Sequence, residues 1–122
     1  MDNINNNERY DEAKEMTSYI WKILRTQPTV FMSWGVMPSD LKPIVKDDMV
    51  GCEFEVNGFK HQGKVNILYN EGEDLFEVRL LDSDGKAIKT ETQIYLDCLV
   101  AVIDGLVERT DNYQEDVENS LQ

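Results

Sequence analysis

The sequence predicts an α+β two-layer sandwich in the order α-β-β-β-β-α, an antiparallel meander with both helices on one face. Three patterns carry this expectation. Residues 50–69 alternate apolar and polar about an Asn57-Gly58 pair, residues 7–26 place apolar side chains three and four apart, and residues 94–109 are apolar nearly all round. A chain of 122 residues with 41% hydrophobic content supports one core and is too apolar to stay disordered.

The elements follow in order. Residues 1–6 are polar and read as a mobile N-terminus, residues 7–109 as a single α+β domain, and residues 110–122 as an acidic, disordered tail. Asn6 or Asn7 can cap a helix running to about Thr26. Its inner stripe is Tyr10, Ala13, Thr17, Ile20 and Leu24, widened by Met16 and Ile23, with Tyr19 and Trp21 off the centre. Gln27-Pro28 ends it, because a residue before proline disfavours the α conformation. Residues 29–48 have neither a clean twofold nor a clean 3.6-residue period, so they read as a short extended piece and a surface connector.

The hairpin comes next. Val50, Cys52, Phe54 and Val56 form one face of its first strand; Phe59, His61, Gly63, Val65, Ile67 and Tyr69 form one face of its second. A two-residue Asn-Gly loop favours a type I′ turn. That turn would set Val56 against Phe59, Phe54 against His61, Cys52 against Gly63 and Val50 against Val65, with Glu55 and Lys60 on the charged face. Asn70-Glu71-Gly72-Glu73 is a second turn, and Phe76, Val78 and Leu80 are the inner face of a third strand. Asp82-Ser83-Asp84-Gly85 fits a type I turn with Gly85 left-handed, setting Leu80 against Ile88 and Val78 against Thr90. The fourth strand, 86–93, carries Lys89 and Glu91 and suits an edge. The helix at 94–109 shows only Asp97, Asp104 and Glu108 as a polar stripe. It is expected to lie between sheet and first helix or to meet another subunit.

This order resembles that of small uncharacterised proteins of bacterial phages and mobile elements. The resemblance spans residues 8–109 and rests on the leading helix, Phe31-Met32-Ser33-Trp34-Gly35, a strand pair, Asp74-Leu75-Phe76-Glu77-Val78 and the closing apolar helix. It implies no activity and no site residues.

The charge is −12, from 24 acids and 12 bases. Four acids and Arg9 leave −3 on residues 1–12, five acids and Arg109 leave −4 on 108–122, and 15 acids against 10 bases leave −5 between them. This sign opposes direct nucleic-acid binding and an anionic membrane surface. The N-terminal residues show neither a basic nor an apolar leader segment, no run approaches a membrane span, and two cysteines are too few for a disulfide framework. The expected setting is cytoplasmic and reducing.

Chemistry is sparse. On the Asn57-Gly58 register Cys52 and His61 are diagonal neighbours on the core face, and Cys98 lies on the covering helix. The three could be zinc ligands, or Cys52 and His61 a nucleophile and base. Structural zinc wants four protein ligands and no fourth stands out, so core roles for these residues outweigh ligation. Asp82-Ser83-Asp84-Gly85 starts like a calcium loop, but Lys86, Ala87 and Gln93 stand where that loop needs an oxygen ligand, Gly and Glu. Phosphate-loop, dinucleotide and nucleophile-elbow patterns are absent from the sequence. The expectation is therefore a chain that is not an enzyme and takes no cofactor. Phe31, Trp34 and Met37 are its candidate partner-binding residues, against the alternative that they cap the core. The expected partner is another protein or a second copy, the latter meeting the helix at 94–109. An acidic nucleic-acid mimic that inhibits a nuclease or restriction-type enzyme is the alternative, since one-signed charge steers a protein toward a basic groove.

Overall fold

The computed structural model describes the backbone of residues 2–121 and the side chains of these residues other than 2–8 and 38. Met1 and Gln122, the ends of the expected mobile N-terminus and acidic tail, lie outside the described residues. Helix α1 (Asp2–Leu24) is followed by a short helix α2 (Pro28–Ser33). Five strands then run in sequence: β1 (Lys42–Lys46), β2 (Met49–Asn57), β3 (Gln62–Asn70), β4 (Leu75–Leu81) and β5 (Ala87–Ile94). Helices α3 (Leu99–Val107) and α4 (Tyr113–Ser120) close the chain. The sheet is an antiparallel meander, β1-β2-β3-β4-β5. The α+β class expected from the periodicities is the observed one.

The core lies on one face of the sheet. Cys52, Phe54 and Val56 of β2, Val65 and Ile67 of β3, and Phe76, Val78 and Leu80 of β4 form its floor. Ile20 and Leu24 of α1 and Leu99, Val100, Ile103 and Val107 of α3 form its roof. Within α1 the expected stripe is largely the buried one, with Ala13, Ile20 and Leu24 inside and Tyr10 outside. Thr17 makes the crossing close: its hydroxyl lies 2.7 Å from the Ala13 carbonyl and 3.1 Å from the Gly51 carbonyl of β2. Arg9 donates to the Asp48 carbonyl and ties the same helix to the β1–β2 turn.

Several elements differ from the sequence reading. The connector contains a fifth strand, β1, paired so that Pro43 faces Cys52 and Val45 faces Val50. An edge strand tolerates proline because one side of it needs no ladder donor. Its link to β2 is the two-residue turn Asp47-Asp48, with φ of 49° and 66°, so the type I′ geometry expected at Asn57-Gly58 sits here instead. The β2–β3 connection is a four-residue loop, residues 58–61. Asn57 pairs with Gln62, Phe54 with Val65 and Cys52 with Ile67. The shift is an even number of residues, so the apolar face stays apolar while every predicted partner changes.

The cause is tertiary. The Val107 carbonyl at the end of α3 accepts the Lys60 N–H at 2.9 Å and the His61 N–H at 3.2 Å. Gly58 lies so close beneath that carbonyl that a Cβ there would collide with it. A tight turn would leave this acceptor unused.

Gly85 is left-handed, as its turn requires, with φ of 83°. A β-bulge then sets Leu80 against Lys89 rather than Ile88, and Val78 against Glu91 rather than Thr90, and Ile88 is left exposed. The expected extended piece after Pro28 is α2, because proline at the first helical position loses no hydrogen bond. The expected helix at 94–109 begins later. Ile94 is the last residue of β5, opposite Phe76, and Tyr95 is extended before a 3₁₀ turn at Leu96–Cys98. At the two ends, α1 starts at Asp2 and α4 occupies the stretch read as a tail. The buried Glu108 carboxylate ties the first residue of α4 to the β2–β3 loop. It accepts the Phe59 N–H at 3.0 Å and the Tyr113 hydroxyl at 2.7 Å, while the rings of Phe59 and Tyr113 meet edge-on at 5.9 Å.

Gly58→Ala is expected to destabilise the fold by about 1–3 kcal/mol, since backbone rather than a flexible side chain must move. A lowered urea midpoint with unchanged slope would show this, and an unchanged midpoint would refute the close approach. Glu108→Ala removes two acceptors at once. It is expected to cost about 1–3 kcal/mol and to speed amide exchange in α4 far more than in β3.

Candidate functional site

The residues singled out from sequence separate in space. Phe31 and Trp34 turn inward. Trp34 is wholly buried, stacks on Phe54 with rings nearly parallel at 6.4 Å, and meets Phe31 edge-on at 5.7 Å. Its Nε1 donates to Asp104 Oδ1 of α3 at 3.0 Å, so its polar atom is satisfied inside the protein. Of the expected partner-binding trio only Met37 faces solvent, at 62% exposure, with Met32 nearby in sequence also exposed. The aromatic pair is a core element, because α2 rolls it onto the sheet.

Cys52, His61 and Cys98 are likewise not brought together as the tight hairpin required. Cys52 faces Ile67 within the sheet, and burial pushes its thiol up to about 12. His61 lies in the β2–β3 loop, its Nε2 3.2 Å from the Lys64 carbonyl. Cys98 is exposed on the 3₁₀ turn, where partial desolvation and then the adjacent Asp97 carboxylate raise its pKa. Among the described residues no group of three or more His, Cys, Asp or Glu is placed to hold a metal.

Two surfaces remain, on opposite faces of the sheet. The face away from the helices carries Lys42 and Lys46 of β1, Glu53 of β2, Lys64 and Asn66 of β3, and Glu77 and Arg79 of β4. Asn66 is fully buried among them. Its amide nitrogen meets Glu53 Oε2 at 2.9 Å and its oxygen meets Lys46 Nζ at 3.2 Å, the assignment that satisfies both charges. Arg79 bridges Glu77 and Asp47, each at 2.5 Å, the second across the width of β2 and β3. Lys64 lies 3.7 Å from Glu53. Lys64 and Arg79 are thereby paired with acids and Lys46 with Asn66, on the face that also buries Leu68 and Leu81.

The other surface is a hollow of about 570 Å³ on the helix side. Met16 and Tyr19, one turn apart on α1, form one wall; Tyr95, Leu96 and Asp97 form the other; Tyr69 and Phe76 form the floor, and Asp74 the rim. The Tyr69 and Phe76 rings lie 5.3 Å apart. The Tyr69 hydroxyl donates to Asp74 Oδ1 at 2.6 Å. That hydrogen bond, then desolvation, then the charges of Asp74 and Glu71, hold the phenol above its ordinary pKa. Asp74 reaches Tyr69 because the β3–β4 turn ends with a left-handed Asp74, φ 55°. A shallower hollow of about 430 Å³ lies beside it, shares Met16 and Tyr19, and adds Glu12, Glu15 and Val50. Among the described residues the two linings together contain four carboxylates, three tyrosines and no basic side chain.

Sequence reasoning missed this site because its walls come from three distant segments. The available signal was that Tyr19 lies off the buried stripe of α1 and that Tyr95 stands between a strand and a helix. No family model matches the chain, and neither does any curated protein or solved structure. No helix among the described residues is long and apolar enough to cross a membrane.

An alkylating reagent at neutral pH is expected to modify Cys98 within minutes and Cys52 only after denaturant is added, since thiolate character and access both favour Cys98. Peptide mapping by mass spectrometry separates the two. Early labelling of Cys52 would contradict its burial.

Proposed function

We propose that this protein is a non-catalytic protein–protein interaction module whose docking surface is the tyrosine-lined hollow between α1 and the segment after β5. The observation that carries the reading is the exposure of large side chains at one concave place: Tyr19 and Tyr95 are 46% and 65% exposed around it. Tyrosine gives contact area at low entropic cost and is enriched among residues that dominate binding energy. The partner surface is thus moved from Phe31 and Trp34, which stabilise the core, to Met16, Tyr19, Tyr69 and Tyr95. The face of α3 turned from the core, with Ala101 and Gly105 exposed, is where a second copy of the chain would dock.

A second reading is an acidic nucleic-acid mimic that occupies the basic groove of a nuclease or restriction-type enzyme. The acidic lining favours it. Glu15, Asp74 and Asp97 line the hollows together with Glu12, which Arg9 pairs at 2.7 Å.

The test is a photo-crosslinking residue placed at position 95 and, as a control, at position 118 on α4. A partner is expected to crosslink at 95 and not at 118, and Tyr19→Ser in the chain that carries the crosslinker at 95 should weaken the adduct without changing thermal stability by more than a few degrees. Equal labelling at both positions would refute the site. A partner that is itself a nucleic-acid enzyme, released by salt and displaced by DNA, would support the mimic over the apolar contact.

A further inference from the structure

We infer that the hollow receives an arginine side chain from a basic segment of the partner, its guanidinium lying among the rings of Tyr19, Tyr69 and Tyr95 and its N–H groups on Asp97. The inference rests on the docking reading above and adds the chemistry of the occupant. A cation over a tyrosine face is held by the ring quadrupole, and the attraction grows when several rings exclude water from it. Three tyrosines line a common hollow with Phe76 beneath, so a guanidinium seated there meets more than one ring and would cover rings that are now exposed. Arginine fits it better than lysine, because a planar guanidinium stacks on rings and presents a fork of donors to a carboxylate at the same time.

The carboxylates are disposed for this division of labour. Asp74 is taken up by the Tyr69 hydroxyl at 2.6 Å, which fixes the floor ring in place. Among the described residues the Asp97 carboxylate is met only by the Cys98 thiol at 3.7 Å, a weak donor, and its side chain is exposed at the wall. It is therefore the carboxylate open to an incoming charge. The neighbouring hollow extends the acidic lining through Glu15, with Glu12 beside it paired to Arg9 at 2.7 Å, so a basic residue flanking the anchor would meet the Glu15 carboxylate. The size agrees as well: about 570 Å³ falls in the range of sites that enclose a small ligand.

Hexa-arginine and hexa-citrulline peptides test the idea by calorimetric titration of the full chain, with ring chemical shifts of Tyr19, Tyr69 and Tyr95 as the second readout. Citrulline keeps the length and planarity of arginine and removes its charge. The arginine peptide is expected to bind and to shift all three rings, and the citrulline peptide to bind at least tenfold more weakly. Tyr95→Leu and Asp97→Asn, both at exposed positions, should each weaken the arginine peptide about three- to tenfold. Asp111→Asn, outside the hollow, should leave it unchanged. Equal binding of citrulline, or an equal loss in Asp111→Asn and Asp97→Asn, would overturn the inference, the second by showing diffuse charge attraction. A partner that crosslinks at position 95 while hexa-arginine does not bind would leave the docking surface standing and remove the arginine. Hexa-arginine binding in the hollow, with partner crosslinking indifferent to position, would do the reverse.

Discussion

The structure depends on a short piece of backbone at residues 57–61, where α2, α3 and the sheet meet. The Asn57 N–H donates to the Trp34 carbonyl at 2.8 Å and the Gly58 N–H to the His61 carbonyl at 3.0 Å. The Phe59 N–H goes to Glu108, and those of Lys60 and His61 go to Val107. Every backbone donor of residues 57–61 is thereby placed, as the cost of an unpaired amide demands wherever the chain is buried, at Gly58 and His61. The loop is therefore a joint. It fixes the register of the longest hairpin, seats the last turn of α3 and, through Glu108, reaches α4.

Trp34 completes the joint from the other side. Its carbonyl holds Asn57, its ring lies on Phe54, and its indole N–H holds Asp104. One residue thus contacts β2 by backbone and by ring, and α3 by a charged hydrogen bond. This explains why an aromatic segment with the composition of an interface is interior. Large apolar area together with two satisfied polar groups stabilises a core position more than an exposed one.

With the joint closed, the sheet has two different faces. The helix side is apolar at its centre and acidic and tyrosine-rich at the α1 end. The far side is covered by its own ion pairs, with Asn66 buried between Glu53 and Lys46. A chain of net charge −12 that commits Lys64 and Arg79 to such pairs leaves carboxylates in surplus elsewhere, and the hollow is one such place. The candidate site was hardly legible in the sequence for the same reason. Met16 and Tyr19 can be placed on one face of a helix by their spacing, but nothing local sets that face opposite Tyr95, since the distance between them depends on how α1 crosses β1 and β2.

The sequence by itself determined what depends on neighbours along the chain. The stripe of α1, the alternation of β2, β3 and β4, and the left-handed Gly85 follow from periodicity and from backbone conformations open to each residue. So does the α+β class, because apolar faces of those elements have only each other to bury against. Only the tertiary structure decided what depends on residues far apart. It chose a four-residue loop over the tight Asn57-Gly58 turn because the Val107 carbonyl needed donors, it turned Trp34 inward because Asp104 could satisfy its indole, and it separated Cys52 from His61 by shifting their pairing. Local preferences of this kind amount to about 1 kcal/mol per turn or residue, and a pair of buried backbone hydrogen bonds with the packing around it outweighs them.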